Sequence, residues 1–431
     1  MNAYILTFGC QMNEYDSEIL ESLLAGKGFN LVAEPGDADL IVVNTCSVRR
    51  KAEERAIARI SSLAALKRNR RDLTLVVAGC MARRAGSELL ERIPEVDLVI
   101  GPDRIPDLPD IIEEKNGRQV LIDETDGDAE SNIVRKQSGP QAYLAISRGC
   151  ENYCSYCIVP YVRGSFRCRP LNSIISQYKS LVGSGVKEIT LLGQNVNSYS
   201  YDGVDFPGLL RILDGLAKCR LRFLTSHPKD LSDDLVACFS ELTNLCRAIH
   251  LPLQSGSDSV LEAMNRGYTV DRYMNIVAKL REAAPEITLT TDIIVGYPNE
   301  SREDFEKTLA VVRAVEFDSA FMFRYSVRPG TKSAQTADVV EESEKIDRLT
   351  RLIKIQQEIT KKKARAWIGK TVEVLITGES RRKPPRPAGI TRGGQKLLIR
   401  DEVTFPPGEL VMAEVVETSG KTLIGNLVLR P

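Results

Sequence analysis

Six of the ten cysteines in this 431-residue chain are spaced for chemistry. Cys150, Cys154 and Cys157 form a C-x3-C-x2-C triplet in a loop that runs from Gly149 to Pro160. Three thiolates so placed can ligate three irons of a 4Fe-4S cluster and leave the fourth iron open to another ligand. Zinc is the rival occupant, but it needs a fourth ligand, and the only histidines, His227 and His250, lie far along the chain. Three unrelated buried thiols are a poor account of such spacing. The second set is dispersed: Phe8-Gly9-Cys10, Asn44-Thr45-Cys46 and Ala78-Gly79-Cys80, each cysteine closing a short apolar run.

The elements that must position these residues follow from hydrophobic period. Residues 1–117 alternate apolar runs (4–8, 40–43, 73–77) with helical patterns such as 14–27, which predicts an open parallel α/β domain. Ligands of such sheets gather beyond the carboxyl ends of the strands, where Cys10, Cys46 and Cys80 could meet. Residues 118–138, rich in Asp, Glu and Gly, read as a linker. In 139–367, six strand candidates (142–147, 188–192, 222–225, 248–251, 289–295, 320–325) alternate with helices, among them 172–182, 206–216, 272–283 and 302–315, and predict a partial (β/α)6 barrel with its chemistry at the strand C-termini. After a long charged helix at 341–367, residues 368–431 carry short alternating runs at 372–376, 396–399, 409–416 and 422–429. These read as a small antiparallel β-barrel of the oligonucleotide-binding style.

Composition narrows the function classes. No apolar run of about 18 residues is present, so no membrane partner is expected. The first residues lack the basic start of a secretory signal, which predicts a cytoplasmic protein whose cysteines are thiols or ligands rather than disulfides. Lys and Arg balance Asp and Glu at 58 each, yet residues 1–135 hold 17 against 24, residues 136–360 hold 27 against 27, and residues 361–431 hold 14 against 7. An acidic first part and a basic tail suit a protein with one polyanion-binding module, although a solvated basic surface gives the same count.

The triplet is the motif of the radical S-adenosylmethionine (SAM) enzymes. Thr7-Phe-Gly-Cys-Gln-Met-Asn-Glu-Tyr-Asp-Ser17, Asn44-Thr-Cys46, Gly79-Cys80, Gly149 to Tyr161, Leu192-Gly-Gln-Asn-Val-Asn197 and Ser226-His-Pro228 together resemble the radical-SAM methylthiotransferases over the whole chain. Their wording is closest to the MiaB branch, which acts on isopentenyl-adenosine beside the tRNA anticodon. The resemblance implies a methylthiotransferase domain, a radical-SAM core and a TRAM domain. It implies that Cys150, Cys154 and Cys157 ligate a 4Fe-4S cluster carrying SAM, and that Cys10, Cys46 and Cys80 ligate an auxiliary 4Fe-4S cluster that delivers sulfur. One SAM would methylate that sulfur, and a second would yield the radical that takes the hydrogen from carbon 2 of the adenine. No ordinary side-chain base removes such a hydrogen, so a cofactor must supply this chemistry.

Further residues enter through the same resemblance. Tyr156 would lie against the SAM adenine, its alternative being ordinary packing. Gly193 and Gln194 would meet the SAM amino group. Asp292 and Arg324, at the ends of the fifth and sixth strands, would face the site or be structural. Arg49, Arg50 and Lys51 after Cys46, and Arg83 and Arg84 after Cys80, put positive charge where an anticodon loop would enter, against the alternative of solvated helix ends. Arg381, Arg382 and Lys383 form the most basic protrusion of the tail. His227 and His250 are expected in satisfied polar roles, and Cys219, Cys238 and Cys246 as small buried thiols. The chain departs from the family at Cys168, commonly a serine, and in a proline-rich loop at 380–388 that replaces the usual glycine-arginine motif. The expected partners are a tRNA carrying isopentenyladenosine, an electron donor such as a flavodoxin or ferredoxin, and a sulfur source for the auxiliary cluster, with the protein a monomer. The alternatives are methylthiolation of threonylcarbamoyl-adenosine or of a ribosomal protein, and, in another class, a non-catalytic iron-sulfur RNA-binding protein or electron carrier.

Overall fold

The computed structural model describes residues 1–47, 50–114, 117–125, 139–380 and 384–428, with backbone alone at 50–52. The first sheet holds β1 (Asn2–Thr7), β2 (Asn30–Leu31), β3 (Leu40–Thr45), β4 (Thr74–Gly79), β5 (Leu98–Ile100) and β6 (Gln119–Leu121), all parallel, in the order β2-β1-β3-β4-β5-β6. Every residue of β3 is buried, because helices cover both faces and a Leu-Ile-Val-Val run has no wet side to spare. Strand order reverses between β1 and β3, which opens the crevice where parallel sheets take ligands. The expected linker begins later than its composition says. Residues 119–121 complete the sheet through Val99↔Val120, and residues 126–138 lie outside the described residues.

The middle of the chain supplies β7 (Gln141–Ala145), β8 (Ser147–Arg148), β9 (Arg167–Cys168), β10 (Glu188–Leu192), β11 (Ser200–Tyr201), β12 (Val204–Asp205), β13 (Arg220–Phe223), β14 (Ala248–His250), β15 (Thr288–Val295) and β16 (Ser319–Arg324). Two parallel three-stranded sheets, β13-β10-β7 and β14-β15-β16, are joined by a parallel bridge between Leu221 and Leu245, forming the six-stranded partial barrel. Its core interleaves strand residues such as Ile189, Leu221 and Ile293 with Tyr178, Phe206, Phe239, Tyr273 and Phe305 from the surrounding helices. Helix boundaries follow local chemistry: Asp205 caps Phe206–Leu216, and Ser301 with Asp304 closes a capping box on Arg302–Val315.

Helix Glu342–Arg365 leads to β17 (Thr371–Glu379), β18 (Pro387–Thr391), β19 (Lys396–Ile399), β20 (Leu410–Ser419) and β21 (Thr422–Leu427), a closed barrel in the order β17-β18-β19-β21-β20. It is not wholly antiparallel: β19 and β21 pair in parallel. β18 also takes up the end of the expected 380–388 loop, because Pro387 and Ala388 pair with β17 despite a composition poor in strand formers.

This small barrel sits at the strand-start end of the larger one. Buried Arg220, at the start of β13, donates to the Ile390 carbonyl (3.0 Å) and to the Glu373 carboxylate (2.8 Å), while Arg222 donates to the Thr391 carbonyl (2.6 Å). Between the two ends lies a cavity of about 810 Å³, within the range of ligand pockets. It is lined by Gln11, Tyr143, His250, Phe321 and Trp367, and by Gln395 and Lys396 of the small barrel. Among the described residues no helix is long and apolar enough to cross a membrane.

Candidate functional site

The dispersed cysteines are brought together by the topology. Cys10 follows β1, Cys46 follows β3 and Cys80 follows β4, so the first two flank the crevice and the third stands beside it. Gly9 is required for this closeness: its φ is +138°, and a Cβ there would lie 2.6 Å from the Cys46 Cβ. The strand ends are locked by side chains from the quoted motifs. Asn13 donates to Asn44 Oδ1 (3.1 Å) and to the Thr45 carbonyl (2.9 Å), and Asn44 donates back to the Asn13 carbonyl (2.9 Å) and Ser17 (3.0 Å). Cys10 stands at the N-cap position of helix Gln11–Gly26 without a side-chain cap bond. Its thiol is brought down to about 6 by hydrogen bonding from Cys46, helped by Arg163 and the amides of Asn13 and Met12 against the cost of burial. At Cys80 burial wins and pushes the thiol up, although Arg163 opposes it.

The Cys150 loop is clamped from both sides. Gly149 has φ +74°, and any Cβ there would fall on the Ser165 carbonyl. Cys150 N–H donates to the Gly164 carbonyl (3.2 Å), and Cys157 N–H closes a turn on Cys154 (2.9 Å). Asn265 donates to the carbonyls of Asn152 (3.1 Å) and Tyr153 (3.0 Å), Ser155 to Ala263 (2.7 Å), and Arg266 to the Cys154 sulfur (3.2 Å). Burial raises the Cys150 thiol and pushes Cys157 up to about 12, so an occupant of this loop displaces protons as it binds. The clamp residues 263–266 escaped the sequence reading. The asparagine at 265, a residue type that tolerates the left-handed region it adopts here (φ +56°), is the local signal that could have found them.

One cysteine of the dispersed triad meets the chain that follows the other triad. Cys80 packs on Ile158 and Val162, which continue the Cys157 loop. Helix Val159–Arg163 ends in a 4 % exposed arginine whose Nε donates to the Cys80 sulfur at 3.0 Å, with Nη1 on Asp16 (2.7 Å) and Nη2 on Asn13 (3.0 Å). Arg148 also pairs with Asp16 at 2.7 Å. Burial alone would raise the Asp16 carboxyl, but the two guanidiniums hold it below its ordinary value. Arg163 was not singled out from the sequence.

Several buried polar atoms at the strand ends lack partners. Ser147 Oγ, Gln194 Oε1, Asn195 Oδ1, Ser226 Oγ, His227 Nε2 and Gln254 Oε1 are buried and unbonded. Orphans in such number at strand C-termini fit a polar ligand that would satisfy them. Gly193 backs onto Ser147, and Gln194 supplies one of the orphans. Tyr156 packs with Met264, Tyr297 and Tyr325 beside the charge of Arg266. His227 corrects the expectation of a satisfied histidine. Its Nδ1 accepts from Lys229 N–H (3.2 Å), so the proton sits on Nε2, which has no partner. Burial, with Arg266 and Lys229 nearby, lowers it to about 2.

Other expectations resolve differently. Asp292 pairs with His250 Nε2 (3.2 Å), whose Nδ1 meets Thr290 (3.0 Å), and Arg324 pairs with Glu342. Both are engaged by protein groups rather than by the Cys150 loop. Arg83 pairs with Glu124 (2.7 Å) and Asp103 (3.4 Å), and Arg84 with Glu53 (3.0 Å), so their charge is compensated. Arg49 and the side chains of Arg50 and Lys51 lie outside the described residues, as do Arg381, Arg382 and Lys383. Cys219, Cys238 and Cys246 are buried, Cys168 accepts from Ser200 N–H (3.4 Å), and no disulfide joins any of the ten cysteines.

As for an occupant, no three His, Cys, Asp or Glu side chains among the described residues gather as ligands of a single ion. Three thiolates suit a 4Fe-4S cluster with one open iron better than zinc, which needs a fourth ligand.

Comparisons with known proteins agree with this architecture. Residues 2–101 match a family described as "Uncharacterized protein family UPF0004", and residues 144–312 match the radical SAM superfamily. A tRNA-2-methylthio-N(6)-dimethylallyladenosine synthase of Thermodesulfovibrio yellowstonii is 41% identical over 99% of this chain and 98% of its own length. One from Geotalea uraniireducens is 44% identical over 98% of both chains. Among solved structures, the radical SAM methyltransferase TsrM from Kitasatospora setae, with tryptophan and a SAM analogue bound, superimposes with a TM-score of 0.61 at 15% identity, covering 77% of this chain and 75% of that one. The same enzyme with cobalamin and a [4Fe-4S] cluster bound gives 0.59 at 14% identity, covering 77% of each. At that identity the likeness is one of fold.

Proposed function

The chain belongs to the family of tRNA-2-methylthio-N(6)-dimethylallyladenosine synthases, and we propose that its two cysteine triads form one reaction site for methylthiolation of carbon 2 of N(6)-isopentenyladenosine next to the tRNA anticodon. Cys150, Cys154 and Cys157 hold the first 4Fe-4S cluster through their sulfurs, and Cys10, Cys46 and Cys80 hold the auxiliary one. When bound, the clusters and SAM supply a carbon radical able to take an aromatic hydrogen, and the sulfur that replaces it. The rest is the work of side chains. Ser147, Gln194, Ser226, His227 and Gln254 offer unbonded polar atoms to SAM. Ile158 and Val162 exclude water from the seam between the triads.

The observation that carries this reading is the contact of Cys80 with Ile158, Val162 and Arg163. Hydrogen removal and sulfur delivery act on the same carbon, so their sources must lie within reach of one base. Two triads on one seam meet that demand. A non-catalytic iron-sulfur protein has no need of it.

A basic tail and the cavity beside Phe321 suit a nucleotide partner. A cytoplasmic monomer served by a flavodoxin- or ferredoxin-like electron donor and a separate sulfur source completes the proposal. Nucleoside mass spectrometry of tRNA from cells lacking the protein, and again after its return, tests it. The methylthio mark on isopentenyladenosine should vanish and reappear, and a mark that persists without the protein refutes the assignment.

A further inference from the structure

Arg266 is a buried cation whose counter-ion is missing from the residues around it. It is 5 % exposed. Its guanidinium donates to the Cys154 sulfur (3.2 Å), the Pro252 carbonyl (3.4 Å) and the Tyr268 hydroxyl (3.5 Å), and its centre lies 5.4 Å from the Tyr268 ring centroid. Among the described residues no carboxylate joins these partners. A buried charge is costly unless an opposite charge accompanies it.

A 4Fe-4S cluster on three thiolates does provide one. An oxidised core of charge 2+ with three thiolates carries one net negative charge, and a second once an electron is added. We propose that Arg266 is the built-in counter-ion of the cluster held by Cys150, Cys154 and Cys157, bonded to the Cys154 sulfur so that the reduced cluster is favoured and its reduction potential raised. The proposal rests on the reading of that triad as a cluster site. A hydrogen bond to a ligating sulfur and an unbalanced positive charge both favour the more negative state.

The other triad is built differently. Arg163 donates to the Cys80 sulfur, but its charge is shared with Asp16. The electron is thereby directed to the first cluster, where SAM is cleaved.

Redox titration followed by electron paramagnetic resonance tests this on full-length protein in which Cys10, Cys46 and Cys80 are alanine, leaving the first triad alone. Arg266→Gln should lower the ratio of reduced to oxidised cluster at a fixed potential by about tenfold, equivalent to about 59 mV for one electron. Arg163→Gln, made where only the Cys10 triad remains, should shift its cluster less. An Arg266→Gln protein with a full complement of iron and sulfide and an unchanged potential overturns the proposal. So does weaker SAM binding with no change of potential, which would make Arg266 a partner of the SAM carboxylate instead. If Arg266→Gln loads no iron, Arg266→Lys decides: restored loading supports the charge role, and no loading into a folded chain overturns it. Failure to load with Arg266 intact would instead defeat the cluster reading itself.

Discussion

Arg163 and Cys80, 83 residues apart in the chain, are joined by a 3.0 Å hydrogen bond from the guanidinium to the sulfur, and the same arginine reaches Asp16 at 2.7 Å. This contact fixes the first domain to the radical-SAM core at the place where the two cysteine sets meet. Asp16→Asn takes the carboxylate from a buried pair and should destabilise the protein by about 3–5 kcal/mol, read as a lower urea midpoint. The pH dependence follows. The Asp16 carboxyl lies below its ordinary 3.8, so its stabilisation is full above that value and is lost as pH falls below it. The asparagine variant should lack that acid limb.

Gly9 leaves no room for a side chain, whereas nothing stands within 4 Å of a Cβ at Gly36. Gly9→Ala should cost the auxiliary cluster and leave the other, so that iron and sulfide fall by about half relative to the parent after reconstitution. Gly36→Ala should retain both. Equal loading of the two variants would show that the approach of Cys10 to Cys46 is not required.

The triads can be separated by activity. Cys10→Ala or Cys80→Ala should still produce 5′-deoxyadenosine from SAM under strong reductant but form no methylthio product. Cys154→Ala should do neither. Production of the methylthio nucleoside by Cys80→Ala would remove that residue from the sulfur-delivering set.

His227 carries its proton on a buried Nε2 that has no protein partner. His227→Phe should weaken SAM binding by about tenfold, the size of one hydrogen bond to a charged group, measured by equilibrium dialysis. The histidine is held neutral to about pH 2. Between there and its ordinary 6.5 the unfolded chain binds the extra proton, so stability falls as pH falls below 6.5, and the phenylalanine variant should flatten that slope.

Charge at the tail and at the first domain should behave differently. Neutralising Arg381, Arg382 and Lys383 should reduce the salt dependence of RNA binding by about 0.7–0.9 for each phosphate that is no longer neutralised. Reversing Arg83 instead breaks its pairs with Asp103 and Glu124 and should lower stability first. A salt slope unchanged by the triple variant would place the RNA elsewhere.

The periodic parts of the chain announced themselves. Glu188–Leu192, Phe206–Leu216, Arg302–Val315 and Lys396–Ile399 stand where the apolar spacing put them, because each buries a face that only one period can supply. Both cysteine sets were legible as well, one from a loop spacing and one from three strands with the same ending. What escaped was decided by contacts across the fold. β6 is three residues held by one neighbour. Pro387 is drawn into a strand by its partners on β17. Arg163 and Arg266 carry no local pattern, and only the fold reveals that each one ends on a sulfur. Arg83 and Arg84 looked like open charge because their acids come from Glu53, Asp103 and Glu124, elsewhere in the chain.

The small C-terminal barrel is bolted to the start of the β-strands, through Arg220 and Arg222, while the cysteine loops crown their ends. β15, eight residues long, separates those levels by roughly 26 Å at about 3.3 Å per residue. The molecule is thus a caliper with fixed jaws. If RNA contacts both the small barrel and the cysteine loops, as the proposed function requires, it must span that distance, which a lone nucleoside cannot.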